Sequence, residues 1–268
     1  MNRWKASAIH LTLSVLVLTV IATVLVWCWY PPGLFQMANA DKLLLIIAGV
    51  DVTMGPLMTL IIYKRGKKGL KFDLTVIALL QVVAMGYGLS TVWQSRPVYM
   101  VALVDRFRMV FANELEPADL AKGPRQYRSL PWLNVETIAA VLPRDQKKRE
   151  DLLFLTLDTG KDLHLMPEYY APFSAGASEL LSHSVPAASF ARHLHGTDAA
   201  QFASAMQDTA RVPGRLRVVP ISSNRGEATM LVDSRTAAPL KPLAIDPWPV
   251  LLELRKSDGK AKSQEQPQ

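Results

Sequence analysis

Cysteine is nearly missing from this chain: Cys28 is the one thiol in 268 residues. A lone cysteine excludes an intramolecular disulfide, so an oxidising compartment gains no covalent bridge here. Trp27 stands where lipoprotein processing needs a small residue, so Cys28 reads as a membrane-embedded thiol without chemistry. Catalytic signatures are missing too: no nucleophile elbow, no His-Glu-x-x-His pair, no Gly-rich phosphate loop. Nor is there a helix-turn-helix pattern, a zinc spacing or an aromatic–basic RNA signature. A net charge of +7 therefore does not point to nucleic acid. Much of the excess flanks apolar segments, where it attracts anionic lipid head groups.

Lys and Arg are also lacking from three long stretches, Ile9–Tyr30, Leu43–Tyr63 and Leu74–Trp93. Each has about 20 residues, the length an α-helix needs to cross a hydrocarbon core of about 30 Å. Within lipid a single segment can satisfy its own backbone only as a helix. Residues 1–94 are therefore expected to form a membrane domain of three spanning helices. The first run is longer than the roughly 7–15 apolar residues of a signal peptide. Despite the small-x-small pattern Ala38-Asn39-Ala40, it reads as a retained span.

Basic residues assign the sides. Arg3 and Lys5 precede the first run, and Lys64, Arg65, Lys67, Lys68 and Lys71 crowd the loop after the second. Short loops rich in Lys and Arg stay cytoplasmic. The N-terminus is thus expected inside and residues 31–42 outside. Residues 64–73 return inside, and everything after the third span lies outside. Trp27, Trp29, Tyr30 and Trp93 mark the outer interface.

Asp51 is the most unusual residue, because a carboxylate near mid-bilayer costs several kcal/mol unless neutralised or paired. At about 1.5 Å per residue, Thr19 and Gln81 fall at similar depth, so Thr19, Thr23 or Gln81 is the expected hydrogen-bond partner, while His10 falls about 14 Å nearer the cytoplasm, out of reach. The sequence leaves open a polar clasp between helices, a partner contact and a transport role for Asp51. Gly49 and Gly55 allow close helix approach, and Gly86 and Gly88 offer a second such surface. Pro56 removes the bond to the Val52 carbonyl and breaks the second helix there. Asp51, Gly49, Gly55, Pro56 and Gln81 are the candidate clasp or partner-binding residues within the membrane.

After Pro97 the texture changes. Val98–Val104 and Arg106–Val110 read as a hairpin turning at Asp105-Arg106. A short helix over Glu116–Lys122, a strand over Val135–Leu142 and a helix over Arg144–Leu157 follow. Helices are expected around Leu180-Leu181 and over Asp198–Ala210. Strands are expected at Leu216–Ile221, Ala228–Asp233 and Leu240–Ile245. The pattern gives an α+β extracytoplasmic domain with an antiparallel sheet over residues 95–254, and a disordered polar tail over 255–268. His164, His183, His193 and His195 read as solvated surface histidines, and no metal or other cofactor is expected. Glu168, Tyr169 and Tyr170 lie in the densest aromatic cluster, Pro167–Phe173. They are the candidate outer interface, unless the loop packs its aromatics on its own sheet.

These residues also resemble a known family. Trp4-Lys5-Ala6, Trp29-Tyr30-Pro31-Pro32, Gly49-Val50-Asp51-Val52, Gly55-Pro56, Gly66-Lys67-Lys68-Gly69 and Phe72-Asp73 carry the resemblance through the membrane domain. Arg96-Pro97-Val98-Tyr99, Asp105-Arg106-Phe107, Pro167-Glu168-Tyr169-Tyr170 and Asp246-Pro247-Trp248 continue it. In order and spacing they resemble the type IV pilin accessory proteins (the TfpX/TfpZ-like group) of Gram-negative bacteria. Pro131-Trp132-Leu133-Asn134 departs from a Gly-Pro-Arg-rich stretch usual in that family. The resemblance implies a non-enzymatic inner-membrane helper of pilus assembly or dynamics. Its partners would be the major type IV pilin, the lipid bilayer and other pilus assembly proteins. It brings no catalytic residues. A pilin-modifying enzyme, such as a glycan transferase, and a membrane sensor are the competing readings.

Overall fold

The computed structural model describes residues 2–30, 34–35, 37–143, 145–209 and 215–264. Pro31, Pro32, Arg144, Ala210 and the end of the expected tail, 265–268, lie outside the described residues. The chain divides into two units. One comprises Met1–Pro31 with Asn39–Arg96, the other Pro32–Ala38 with Pro97–Gln268.

The first unit holds three helices long and apolar enough to span a bilayer: Arg3–Trp29, Ala40–Ile62 and Leu70–Gln94. The first is capped by Asn2, whose side-chain oxygen accepts from the Lys5 N–H at 2.9 Å. The third starts after Gly69, which holds φ at +88° where a side chain would strain the turn. Leu16, Val20, Leu79 and Val82 stay exposed on the helices, as aliphatic side chains do where lipid is the solvent. The far ends of the first and third helices meet through Trp29 and Trp93, edge to face at 5.3 Å. Arg96 lies 3.7 Å over the Trp93 ring and donates to its carbonyl at 2.7 Å. The expected break at Pro56 takes the form of a π-helical turn, Val50–Met54, within the second span.

The second unit is α+β with one eight-stranded sheet. Its strands are β1 Pro97–Ala102, β2 Phe107–Phe111, β3 Glu136–Ala140, β4 Tyr170–Pro172, β5 Val185–Pro186, β6 Leu216–Ser222, β7 Glu227–Asp233 and β8 Pro239–Leu243. The order is β4-β3-β1-β2-β6-β7-β8, with β5 also pairing β6. The sheet is mostly antiparallel, as expected, but mixed: β1 runs parallel to β3, and β2 to β6. Those joins arise because the chain leaves the β1–β2 hairpin by crossovers, which sequence patterning does not order. Every β1 residue is buried, the mark of a strand covered on both faces.

Among the described residues, two hydrophobic clusters pack with the sheet. One gathers Tyr99, Tyr127, Ile138, Leu152, Leu163 and Tyr170; the other gathers Phe190, Phe202, Leu231, Ile245 and Val250. The helices Pro117–Leu120, Gln146–Thr159, Ala177–His183 and Gly196–Thr209 occupy the expected places. Strands β4 and β5 and the helix Ala187–Ala191 are too short to leave a period in the sequence. The last helix, Trp248–Gln264, runs over much of the stretch read as a polar tail.

Candidate interaction sites

The polar centre of the membrane unit is built around Gln81. His10 donates from Nε2 to Gln81 Oε1 at 2.7 Å, so its Nδ1, 2.6 Å from Thr59 Oγ1, accepts that hydroxyl. Gln81 Nε2 then points to the main-chain oxygen of Asp51, 3.4 Å away. That oxygen is free for a physical reason. In a π turn the N–H of residue 56 would bond residue 51, and Pro56 has none. Ser7 adds a fourth link, donating to the Pro56 carbonyl at 2.8 Å. Gly55 makes the arrangement possible, because a Cβ there would overlap the Gln81 amide.

Of the residues read in sequence as a clasp or partner contact, Gln81, Gly55, Pro56 and the main-chain oxygen of Asp51 meet here, joined by His10, Thr59 and Ser7. Thr19 and Thr23 bond carbonyls of their own helix. His10, judged out of reach, is joined to Asp51 through one glutamine. The first helix begins at Arg3 instead of Ile9, which moves its midpoint and leaves His10 only about 9 Å below it. Gly88 approaches Ile47, as a close-contact glycine should, while Gly49 and Gly86 face open space.

Asp51 itself is 3% exposed, and its Oδ1 has no hydrogen-bond partner. It lines a groove of about 310 Å3 between the second and third spans, beside Ile47, Val50, Ala84, Tyr87 and Gly88. Asp51 is the central residue of the span Ala40–Ile62. A carboxyl group there, unpaired against hydrocarbon, costs several kcal/mol.

In the C-terminal unit the aromatic loop divides. Glu168 is exposed and Tyr169 half-buried, but Tyr170 is 3% exposed and belongs to the core. Its ring meets Tyr99 at 5.5 Å and Tyr127 at 5.8 Å, both edge to face, and its hydroxyl donates to the His164 carbonyl at 2.6 Å. Burial pushes the phenols of Tyr99 and Tyr170 well up. Tyr170 is thus not available as an outer interface residue. Strand β4 starts at this residue and turns its ring inward against β3.

His164 is a second correction: it is buried at 4% exposure. Arg108 donates to its Nε2 from Nε at 3.4 Å, and its Nδ1 lies 3.4 Å from Asp162 Oδ2. The imidazole, followed by the Leu163 N–H, holds the Asp162 carboxyl down to about 2. His183 and His193 bond carbonyls of their own helical turns. Among the described residues no three His, Cys, Asp or Glu side chains gather as a metal site would require.

Two segments that carry the family resemblance meet in space. Arg106 forms a two-pronged pair with Asp105, at 2.9 and 3.0 Å, and its guanidinium sits 4.6 Å over the Trp248 ring. The Trp248 indole N–H donates to Glu227 at 2.8 Å, which also accepts from Ser222 at 2.6 Å. The pair with Arg106 lowers the Asp105 carboxyl. The β6–β7 turn holds another joint that sequence reading missed. Arg225 lies 3.6 Å over Phe111 and reaches the Ala38 carbonyl at 3.4 Å, while Gly226 leaves room for the Met37 backbone. Met37 and Ala38 thus pack with the β6–β7 turn. Leu34, Phe35 and Met37, apolar residues in a short loop, were the signal of this packing.

No family model matches the chain, and no solved structure does. Three fimbrial assembly proteins of Dichelobacter nodosus are similar to it. That of serogroup I is 25% identical over 231 residues, 85% of this chain and 89% of its own length. That of serogroup E1 is 24% identical over the same length and shares. That of serogroups C1 and C2 is 32% identical over 114 residues, covering 41% of this chain and 86% of that protein. With that identity over nearly all of a relative's length, and in keeping with the type IV pilin accessory resemblance of its motifs, the chain belongs to the family of fimbrial assembly proteins.

Proposed function

We propose that this protein sits in the cell inner membrane, with its C-terminal unit in the periplasm, and holds its cognate type IV pilin during pilus assembly. It acts by binding and catalyses no reaction. The relatives' names support the pilus role, and the charge of residues 64–71 supports the orientation. The observation that carries the binding role is the unpartnered Asp51 Oδ1. The three helices are already tied by His10, Thr59 and Gln81, so the Asp51 carboxyl is not spent on the bundle. A groove with one polar group at mid-span fits a partner's transmembrane helix that brings a hydrogen-bond donor to that depth. An acyl chain offers none.

The test is a photocrosslinking residue at Val50, on the groove wall, followed by isolation of adducts from native membranes. Pilin is expected as the main adduct. Pilin from a deletion strain is expected to keep its mass, where a pilin-modifying enzyme would leave it lighter. Alkaline phosphatase fused after Ser95 should be active and after Lys68 nearly inactive; the reverse would overturn the orientation.

A further inference from the structure

The C-terminal unit contains a cavity of about 650 Å3 unrelated to the membrane groove. Its volume is in the range that holds a small molecule or a few residues of a chain. It lies between the β1–β2 hairpin and the helix Gln146–Thr159, with walls from Leu103, Leu142, Leu152 and Leu153. Three guanidinium groups line it, those of Arg106, Arg108 and Arg149, against the two carboxylates of Asp105 and Asp162. Asp105 is occupied by Arg106 from its own strand connection. Asp162 is turned to Leu163 and His164. Arg108 and Arg149 therefore have no carboxylate bonded to them among the described residues, and one positive charge is left over.

Arg108 is also held in place. Its Nε and Nη2 lie 3.4 and 3.3 Å from His164 Nε2, and His164 is 4% exposed. An imidazole nitrogen is a weak acceptor for a guanidinium compared with a carboxylate. It fixes the planar fork while leaving its remaining N–H groups and its charge unspent. Apolar walls, a fixed guanidinium from the sheet and a second from the facing helix form a pocket with one positive charge in excess.

We infer that this cavity binds a single carboxylate carried on an apolar body, with Arg108 and Arg149 taking the carboxylate and the leucines taking the body. One net positive charge suits a monoanion; a phosphate dianion would face Asp105 and Asp162. The same chemistry is offered by the C-terminus of a polypeptide ending in apolar residues and by a small organic acid.

The test uses the full chain in nanodiscs and isothermal titration with acetyl-Ala-Leu-Phe, its C-terminal amide, hexanoate, hexanol and inorganic phosphate. One site per chain is expected, with the acid of either pair bound at least about tenfold tighter than its neutral counterpart. Tighter binding of the peptide acid assigns a polypeptide terminus; tighter binding of hexanoate assigns a small acid. Arg149→Gln, an exposed change, should weaken acid binding about fivefold or more at an unaltered melting temperature, and Arg108→Gln at least as much. Absence of binding by every probe, equal binding of acid and neutral forms, phosphate binding ahead of both acids, or wild-type affinity in Arg149→Gln would each overturn the assignment.

Discussion

Gln81 packs directly over Gly55: a Cβ on Gly55 would come within 2.8 Å of the Gln81 amide carbon and 3.0 Å of His10 Nε2. The bond between His10 and Gln81 depends on that missing methyl group. Gly55→Ala should therefore displace the amide and cost about 1–3 kcal/mol, as overpacking does. Gly49→Ala, with nothing within 4 Å of the new methyl, should be neutral. Thermal unfolding in detergent and steady-state abundance check the pair, and equal effects would remove the Gln81 clasp.

Asp51 contributes its backbone oxygen to the clasp and leaves its Oδ1 without a partner. Asp51→Leu should then leave abundance unchanged while reducing capture of pilin about tenfold or more. His10→Ala should do the opposite first, lowering abundance through lost bonds to Thr59 and Gln81. Asp51→Asn separates the partner's chemistry: an amide still accepts from a neutral donor but no longer balances a cation. Collapse of the Leu variant's abundance would return Asp51 to a purely structural role.

Tyr170 carries a buried hydroxyl bonded to the His164 carbonyl. Removing that hydroxyl with Tyr170→Phe leaves a buried acceptor unpaired, a loss of about 1–2 kcal/mol. Tyr170→Ala, which empties the space between Tyr99 and Tyr127, should cost about 3–5 kcal/mol. Tyr169→Ala should be far milder. Chemical denaturation followed by the near-UV signal of the tyrosines would show the ranking. A surface role for the whole loop predicts equal, small effects instead.

Asp162 gives a pH signature. Its carboxyl is held at about 2 in the folded chain, below the usual 3.8. A depressed carboxylate stabilises the fold fully above the unfolded value, and the contribution fades as pH falls from about 4 to about 2. With its side chain 55% exposed, solvent screening reduces the effect to about 1 kcal/mol or less. Asp162→Asn should lower the melting temperature by a few degrees at pH 6, and the difference should shrink below about pH 4 and close near about pH 2. A gap that widens on acidification would contradict the sign.

Local features carried much of this structure into the sequence. Three runs without Lys or Arg, each long enough for a bilayer, required three helices because lipid offers no other partner for the backbone. The Asp105-Arg106 turn was legible because hairpins are set by residues adjacent in the chain. The identity of the clasp was not legible. Asp51 was visible as an outlier, but choosing among Thr19, Thr23, His10 and Gln81 needs the depth and rotation of each helix.

Partners distant in sequence were likewise decided only by tertiary structure. The parallel joins of β1 with β3 and of β2 with β6 follow from crossovers that side-chain periodicity does not order. His164 read as a surface residue because polar atoms suggest water, and Tyr170 stood open between an outer interface and packing on its own sheet. The fold buries both and satisfies the Tyr170 hydroxyl with a carbonyl six residues away. Arg108 and Arg149 are 41 positions apart and line one cavity only because a helix returns over the first hairpin. Sequence by itself determined the three spans and most of the longer strands and helices, since hydrophobic length and turn chemistry act locally. Packing decided which polar groups were paired and which were left over, because pairing is a property of neighbours in space.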